Sequence, residues 1–179
     1  MANLFVISDT HFGHANILNF KRPDGSRVRD FSSVEEMDEH MIERWNSVVR
    51  PQDHVYHLGD VVMRQQVLDT VMPRLNGHKR LVRGNHDIFK TKHYMKYFDE
   101  IYGVRVLDNI IFSHIPIHLE SLSRFKANVH GHVHGGWCGG SRYLDVSVEA
   151  VEYTPVPLHK LKEMLYSPIN GKEENACGT

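Results

Sequence analysis

The stretch LFVISDTH, residues 4–11, decides the class of fold. Leu4–Ile7 is a continuous apolar run that stops at a polar pair, Ser8 and Asp9. Such a run is typical of a strand that is buried on both faces, as strands of parallel sheets are. In open α/β sheets, ligands bind beyond the carboxyl ends of these strands. The stretch therefore predicts a parallel strand with two candidate site residues, Asp9 and His11, at its end.

The same pattern occurs twice more along the chain. His54 to Leu58 is followed at once by Gly59 and Asp60, and Arg80 to Val82 runs into the sequence Gly84-Asn85-His86-Asp87. The carboxyl ends of parallel strands meet at one edge of a sheet. We therefore expect three separate strands to deliver their polar residues to a common rim.

The remaining patterns indicate an α/β protein. Ser32 and Ser33 each precede a glutamate by three residues, which is the sign of a helix start, and the helix should run to about Val49. The other predicted elements are helices at 63–72, 91–98 and 157–166 and strands at 103–107, 110–113, 127–130 and 143–148, with a hairpin turn at Asp108-Asn109. Alternation of strands and helices followed by hairpins favours a mixed sheet.

The composition is that of an ordinary globular domain. The chain has 179 residues, of which 41% are hydrophobic and 24% are charged. We predict a single domain over residues 1–166 and a flexible tail over residues 167–179. The net charge of −1 provides no general basic field, so the charge does not indicate a nucleic-acid partner, although it leaves one open.

The sequence also bears on the compartment. No segment reaches the length of a membrane span, and the apolar run near the start is too short for the core of a signal peptide. The two cysteines, Cys138 and Cys177, are too few for a disulfide framework and lack zinc-finger spacing. A cytoplasmic protein without a membrane partner is the expectation; the oligomeric state stays open.

Histidine is unusually frequent, with 14 copies, and several copies lie in short polar clusters. Besides the clusters above, Ser113-His114 and Gly131-His132-Val133-His134 follow predicted strands. Residues two apart point to the same side of an extended backbone, which applies both to Asp9 with His11 and to His132 with His134. The candidate metal ligands are Asp9, His11, Asp60, Asn85, His114, His132 and His134.

This ligand set combines carboxylate and amide oxygens with imidazoles and contains no thiolate. Such donors suit manganese, iron, zinc, nickel or cobalt better than calcium or magnesium. Two divalent cations outweigh the charges of two aspartates and one bridging hydroxide, so the site keeps a positive charge that attracts phosphate. The sequence therefore predicts a two-metal hydrolytic site for phosphate esters.

Taken together, the clusters resemble the five motifs of the calcineurin-like metallophosphoesterase superfamily, which read D-x-H, G-D, G-N-H-D/E, a lone H and G-H-x-H. The motifs span residues 9–134, and the variant SDTHFGH at residues 8–14 is similar to a small bacterial or phage branch of predicted phosphoesterases. The resemblance implies a four-layer αββα sandwich, in which two mixed β-sheets are flanked by helices.

The resemblance also implies a role for each ligand. One metal would be bound by Asp9, His11, Asp60 and His134, and the other by Asp60, Asn85, His114 and His132. Manganese is the first expectation for both. A hydroxide that bridges them would attack the phosphorus of a phosphodiester or phosphomonoester in line, with His86 as the catalytic residue that serves the leaving group. A nucleotide or another small molecule is the expected substrate.

Two departures from the superfamily pattern stand out. Phosphatases of the superfamily carry an aspartate that orients the catalytic histidine where this chain has Met63, so the partner of His86 is undetermined. An apparent insertion at residues 19–31 is either a solvated loop or a basic lid over the site. We name His14, Arg22 and Arg27 as substrate-binding candidates, and Arg83 and Arg142 as weaker ones. Trp137 and Tyr143 could stack on a base or simply pack.

Two other functions share these motifs. The first is a nuclease that acts on DNA or RNA ends, although related repair exonucleases carry capping domains for which this chain has no room. The second is a non-catalytic scaffold, but scaffolds of this fold have degraded metal sites, whereas every ligand position is filled here.

Overall fold

The computed structural model of the protein describes residues 2–136 and 139–166. Trp137 and the predicted tail at 167–179 lie outside this part of the chain. The described residues form two β-sheets and several helices. The first sheet has the strand order β4-β3-β2-β1-β9. Its strands are Leu4–Ile7 (β1), His54–His57 (β2), His78–Val82 (β3), Glu100–Tyr102 (β4) and Val156–Pro157 (β9). The strands β1 to β4 run parallel, and β9 pairs with β1 in the antiparallel direction.

The second sheet has four strands in the order β5-β6-β7-β8. They are Arg105–Leu107 (β5), Ile110–Phe112 (β6), Ala127–His130 (β7) and Tyr143–Asp145 (β8). Strands β5 and β6 form an antiparallel hairpin, whereas β6, β7 and β8 are parallel. The turn of this hairpin is Asp108-Asn109, as predicted, and both residues have positive φ angles, of 51° and 66°.

The helices are Val34–Val48 (α1), Gln65–Val71 (α2), Thr91–Tyr94 (α3) and Leu158–Tyr166 (α4), and single 3₁₀ turns occur at Ala15–Asn19, Met72–Arg74 and Leu119–Leu122. Helix α1 begins where the sequence predicts, because the Ser33 side chain accepts a hydrogen bond from the Glu36 amide. Within the described residues, no helix is both long and apolar enough to cross a bilayer.

Two apolar cores explain why strand β1 is apolar at every position. Phe5 and Ile7 pack into the core under helices α1 and α2, together with residues such as Trp45. Val6 points to the opposite face and packs into the core between the two sheets, which Phe112 lines from the second sheet. Both faces of β1 are thus buried, and α/β architecture with two mixed sheets and flanking helices is confirmed.

The short elements differ from the sequence predictions. Strands β4 and β9, of three and two residues, were not predicted, because runs this short carry no periodic signal. The predicted strand at 103–107 begins only at Arg105, beyond Gly103, and the helix predicted at 91–98 ends at Tyr94. Helix α2 ends at Val71, before Pro73, within the predicted range of 63–72, and a separate 3₁₀ turn at Met72–Arg74 contains this proline.

Candidate metal centre

All seven candidate ligands follow strands that end at the same edge of the molecule. Asp9 follows β1, Asp60 follows β2 and Asn85 follows β3, all in the first sheet. His114, His132 and His134 follow β6 and β7 of the second sheet. Main-chain hydrogen bonds join the two sheets here, with 2.9 Å from the Ser8 amide to the Val146 carbonyl oxygen. Ligands from both sheets therefore face a common space.

The first group of ligands, the Asp9 group, consists of Asp9, His11 and His134. The Nε2 atoms of both histidines lie 3.8 Å from Asp9 Oδ1. Their rings are stacked with centroids 5.3 Å apart. Three ligand atoms thus converge on one point, as the coordination of a metal ion requires.

The second group, the His114 group, consists of Asp60, His114 and His132. His114 Nε2 lies 3.3 Å from Asp60 Oδ2 and 3.3 Å from His132 Nδ1. The Asn85 side-chain oxygen lies 2.8 Å from the same His114 nitrogen. Asn85 therefore lies with this group, where the resemblance places it.

Asp60 stands between the two groups. Its Oδ2 atom is 3.5 Å from His11 Nε2 and 3.3 Å from His114 Nε2, so one oxygen faces a histidine of each group. Its other oxygen, Oδ1, accepts a hydrogen bond of 2.8 Å from the His86 amide. This bond holds the carboxylate in the orientation that a bridging ligand needs.

The backbone of the ligands is left-handed, which corrects the expectation of extended chain. The φ angles are 59° at Asp9, 48° at His11, 57° at Asp60, 72° at His132 and 50° at His134. A residue other than glycine in this region costs about 1–3 kcal/mol, and such residues concentrate at functional sites. The surrounding structure must stabilise five of these conformations.

Two glycines allow the carboxylates to approach the neighbouring loops. A Cβ atom at Gly84 would overlap Asp60 Oδ1, and a Cβ atom at Gly131 would overlap Asp9 Oδ2. Each aspartate is therefore seated on the bare backbone of a loop from another strand. Any larger residue at these positions would displace a candidate ligand.

A buried ion pair supports the Asp9 group. Arg29 has a fully buried side chain, and its Nε atom donates a hydrogen bond of 2.7 Å to Glu149 Oε1. The same oxygen accepts a hydrogen bond of 3.0 Å from His134 Nδ1. Arg29 also donates to the carbonyl oxygens of Thr10 and Asp9, at 2.7 and 2.5 Å. The sequence did not reveal Arg29 or Glu149 as site residues.

Different contacts support the His114 group. His114 Nδ1 lies 2.8 Å from the Leu58 carbonyl oxygen, which fixes the tautomer and turns Nε2 towards Asp60. The buried Asp87 carboxylate accepts hydrogen bonds from the amides of Asp60, Val61 and Gly84, at 2.9, 3.1 and 2.8 Å. Asp87 thus joins the loop that carries Asp60 to the loop that carries Asn85.

His57 also joins two ligand loops, although the sequence indicated no chemistry for it. Its Nε2 atom lies 2.9 Å from the Thr10 hydroxyl, and its Nδ1 atom accepts a hydrogen bond of 3.2 Å from the Gly59 amide. The Thr10 hydroxyl donates onward to the Val61 carbonyl oxygen. These bonds are satisfied by a neutral ring, and burial lowers the pKa of His57 to about 3.

The protonation states of two ligands, His11 and Asp9, fit cation binding. Burial lowers the pKa of His11 to about 2, so its imidazole is neutral at pH 7, as a metal ligand must be. Burial raises the pKa of Asp9 to about 6, which is characteristic of a carboxylate that needs a nearby cation to stay charged. Asp9 Oδ1 is buried and has no hydrogen-bond partner among residues 2–136 and 139–166. The donors therefore fit a divalent cation.

His86 and His14 lie beside the Asp9 group. The His86 ring is exposed, and its centroid is 5.4 Å from that of His11. Within the described part of the chain, no side chain hydrogen-bonds to its imidazole, so the structure supplies no substitute for the aspartate that Met63 replaces. The His14 ring lies 5.6 Å from His11 on centroids. Both rings are close enough to His11 to contact a substrate bound at the Asp9 group.

The structure does not bring Arg22 or Arg27 to the metal ligands. Arg22 donates to the carbonyl oxygens of Arg27 and Val28 in its own loop, and Arg27 pairs with Asp30 at 3.3 Å. Their substrate contacts stay predictions.

The weaker arginine candidates also donate to main-chain carbonyls. The acceptors are Asp87 and Phe89 for Arg83, and Leu122 and Phe125 for Arg142. The Tyr143 hydroxyl donates to the Ile117 carbonyl oxygen. These contacts show structural roles for all three residues.

Comparisons with known proteins show matches over most of this chain as well as over about half of it. No protein-family model matches the chain. Uncharacterized protein MJ1445 of Methanocaldococcus jannaschii is 32% identical over 180 residues, which cover 92% of each chain. Gene 66 protein of Mycobacterium phage D29 is 35% identical over 91 residues, covering 49% of this chain and 41% of the phage protein. The crystal structure of the protein of unknown function AQ665 from Aquifex aeolicus is similar with a TM-score of 0.70 and 27% identity, over 92% of this chain and 100% of that one.

Proposed function

The chain belongs to the family of uncharacterized protein MJ1445, and we propose that it is a dinuclear metal-dependent phosphoesterase of the calcineurin-like metallophosphoesterase superfamily. It hydrolyses a phosphodiester or phosphomonoester of a nucleotide or another small molecule. The observation that carries this proposal is the Asp60 carboxylate, whose Oδ2 atom faces His11 of one ligand group and His114 of the other. A single carboxylate oxygen between two sets of imidazoles is the arrangement that a pair of cations requires.

Two divalent cations, manganese first, fit these groups. Asp9, His11 and His134 would hold one, Asn85, His114 and His132 the other, and Asp60 would contact both. When bound, the cations supply Lewis acidity towards phosphoryl oxygens and lower the pKa of water. The protein contributes the orientation of every ligand, because each carboxylate has one oxygen fixed by a main-chain amide and the other directed at histidines.

His86 serves the leaving group. Its amide is fixed by the hydrogen bond to Asp60 Oδ1, so the position of the ring is tied to the carboxylate between the two ligand groups. Its imidazole is exposed and is therefore accessible to a substrate oxygen. Donation of a proton to the departing alkoxide oxygen is the step that this location supports. Because no carboxylate of residues 2–136 or 139–166 pairs with the ring, its orientation must be set when substrate binds.

The four-layer αββα sandwich of the superfamily is part of this proposal. Two features support it, namely the packing of helices α1 and α2 against the first sheet and the apolar core between the two sheets. The similarity to AQ665 supports the same general architecture.

The proposal is tested by metal analysis combined with a chromogenic phosphodiester assay. Protein stripped with a chelator should be inactive, and addition of manganese should restore hydrolysis in parallel with the binding of two ions per chain. Zinc, nickel and iron are compared in the same way. A chain that binds no divalent metal, or one that hydrolyses the ester equally well after stripping, would contradict the proposal.

A further inference from the structure

We propose that Arg29 and Glu149 are positioning residues that set the metal affinity of the Asp9 group alone. This inference rests on the proposed function, because it assumes that both ligand groups bind metals. Neither residue belongs to a motif, and they are separated by 120 positions in the sequence. Glu149 nevertheless contacts His134, and among the described residues the other charged side chain that does so is Asp9.

The burial of Arg29 indicates a specific role. A buried guanidinium loses its hydration, so it is retained only where good acceptors replace water. Arg29 has three such acceptors, which are the Glu149 carboxylate and the carbonyl oxygens of Asp9 and Thr10. The residue comes from the segment 19–31, for which the sequence left open a solvated loop or a basic lid. The end of this segment at Arg29 is therefore fixed by hydrogen bonds to the loop that carries Asp9.

The contacts of Arg29 fix the backbone that presents two ligands. The carbonyl groups of Asp9 and Thr10 belong to the two peptide units that link Asp9 to His11, and both accept from this one guanidinium. Asp9 and His11 are both in the left-handed region. The guanidinium therefore stabilises an unfavourable local conformation that places both side chains on one metal position.

Glu149 supports His134, the third ligand of the Asp9 group. Its Oε1 atom accepts from Arg29 and from His134 Nδ1 at once. This bond keeps the proton of His134 on Nδ1, so the lone pair of Nε2 faces Asp9 Oδ1, 3.8 Å away. A carboxylate behind a ligating histidine also makes the imidazole a stronger donor. All three members of the Asp9 group thus depend on one ion pair.

The effect should stop at the Asp9 group. No hydrogen bond or ion pair within residues 2–136 and 139–166 joins Arg29 or Glu149 to Asp60, His114 or His132. These ligands depend instead on Asp87 and on the Leu58 carbonyl oxygen. Loss of the ion pair should therefore remove one metal, whereas general unfolding would weaken both.

The test is metal titration by calorimetry, with manganese as the probe, of variants that keep only one of the two ligand groups. His114→Ala leaves the Asp9 group, and His134→Ala leaves the His114 group. Adding Glu149→Gln to His114→Ala should weaken the remaining site by about 10- to 100-fold. Adding it to His134→Ala should change the remaining affinity by less than twofold. Arg29→Lys should act like Glu149→Gln, because one ammonium cannot span three separate acceptors.

Asp53→Asn is the matched control for a buried carboxylate. Asp53 accepts hydrogen bonds from the amides of Asn3 and Arg50 at the opposite end of β2, so its loss should lower the melting temperature and leave both metal affinities unchanged. Equal weakening of both sites by Glu149→Gln, or no weakening of either, overturns the inference. A wild-type protein that binds no manganese would instead contradict the proposed function.

Discussion

The two halves of the candidate metal centre are built in different ways. In the His114 group, the supporting residues lie close to the ligands in the sequence, since Asp87 follows Asn85 by two positions and supports the next loop. In the Asp9 group, support comes from Arg29 and Glu149, which are far from each other and belong to no motif. The first arrangement uses main-chain amides, whereas the second adds a buried ion pair to the main-chain amide that holds Asp9.

The two halves should therefore tolerate different substitutions. Main-chain donors survive most substitutions, so the His114 group depends on the single side chain of Asp87. The Asp9 group depends on two charged side chains, and removal of either leaves a buried partner uncompensated, which is the costly situation for ion pairs. Variants should therefore separate the two halves by metal content as well as by activity.

Substitution of Asp60, which the two halves share, should reduce activity more than any other change. Asp60→Ala should abolish binding of both metals and lower turnover by roughly three orders of magnitude or more, since metal catalysis supplies several kcal/mol. Metal analysis and the chromogenic diester assay measure the two effects. Wild-type turnover after metal addition to this variant would show that the halves are independent of Asp60.

His86 should contribute to the chemical step and not to metal binding in either half. His86→Ala should lower turnover by about 100-fold or more, as expected for loss of a general acid, and should keep two metals. With a leaving group that needs no proton, the variant should regain most of the lost turnover. Esters of an acidic phenol and of a less acidic phenol are therefore compared as a matched pair of substrates. Loss of metal from this variant would mean that His86 is a ligand.

Asp87→Ala should lower both the stability of the protein and its affinity for both metals. Three amide donors lose their acceptor, which should lower the free energy of unfolding by about 3 kcal/mol. Because one of these donors belongs to Asp60, the effect should reach both halves, in contrast to Glu149→Gln. Urea unfolding measures the loss of stability, and metal titration measures the loss of affinity. Weaker binding of only one metal would contradict the expectation that Asp87 supports both halves.

The buried His57 should make the stripped protein sensitive to acid. Its folded pKa of about 3 lies below the unfolded value near 6.5, so the unfolded state binds the extra proton between these values and stability falls as pH falls through this window. Between pH 7 and pH 5 this residue should cost about 2 kcal/mol. His57→Gln should lose that part of the pH dependence in urea unfolding. An unchanged slope would mean that folding does not lower the pKa of His57.

Arg27→Ala should have the smallest effect. Arg27 is exposed and pairs only with Asp30 within the described residues, so its loss should change the free energy of unfolding by less than about 0.5 kcal/mol. Metal content should stay the same. A rise in KM of tenfold or more, with unchanged kcat, would instead establish the predicted substrate contact of this loop.

The sequence predicted those parts of the fold and site that depend on neighbouring residues. Strand β1, the Ser33 cap and the turn at Asp108-Asn109 each carry a local signal, and the structure confirms all three. The candidate ligands were found because each follows a strand within a short motif. The structure brings all seven together at one edge.

What the sequence missed depends on distance along the chain or on backbone conformation. Arg29 and Glu149 meet only after folding, and no spacing relates them. The left-handed backbone of Asp9 and His132 departs from residue preference, so local propensity could not indicate it. Strand β9 has two residues and exists because β1 offers an edge for pairing.

The most direct test of the metal centre is a crystal of the manganese-loaded protein, measured for anomalous scattering at the manganese edge. We expect two peaks, one in contact with Asp9, His11 and His134 and the other with Asn85, His114 and His132, and with the Asp60 carboxylate touching both. A single peak, or density for two ions away from these side chains, would contradict the two-metal centre.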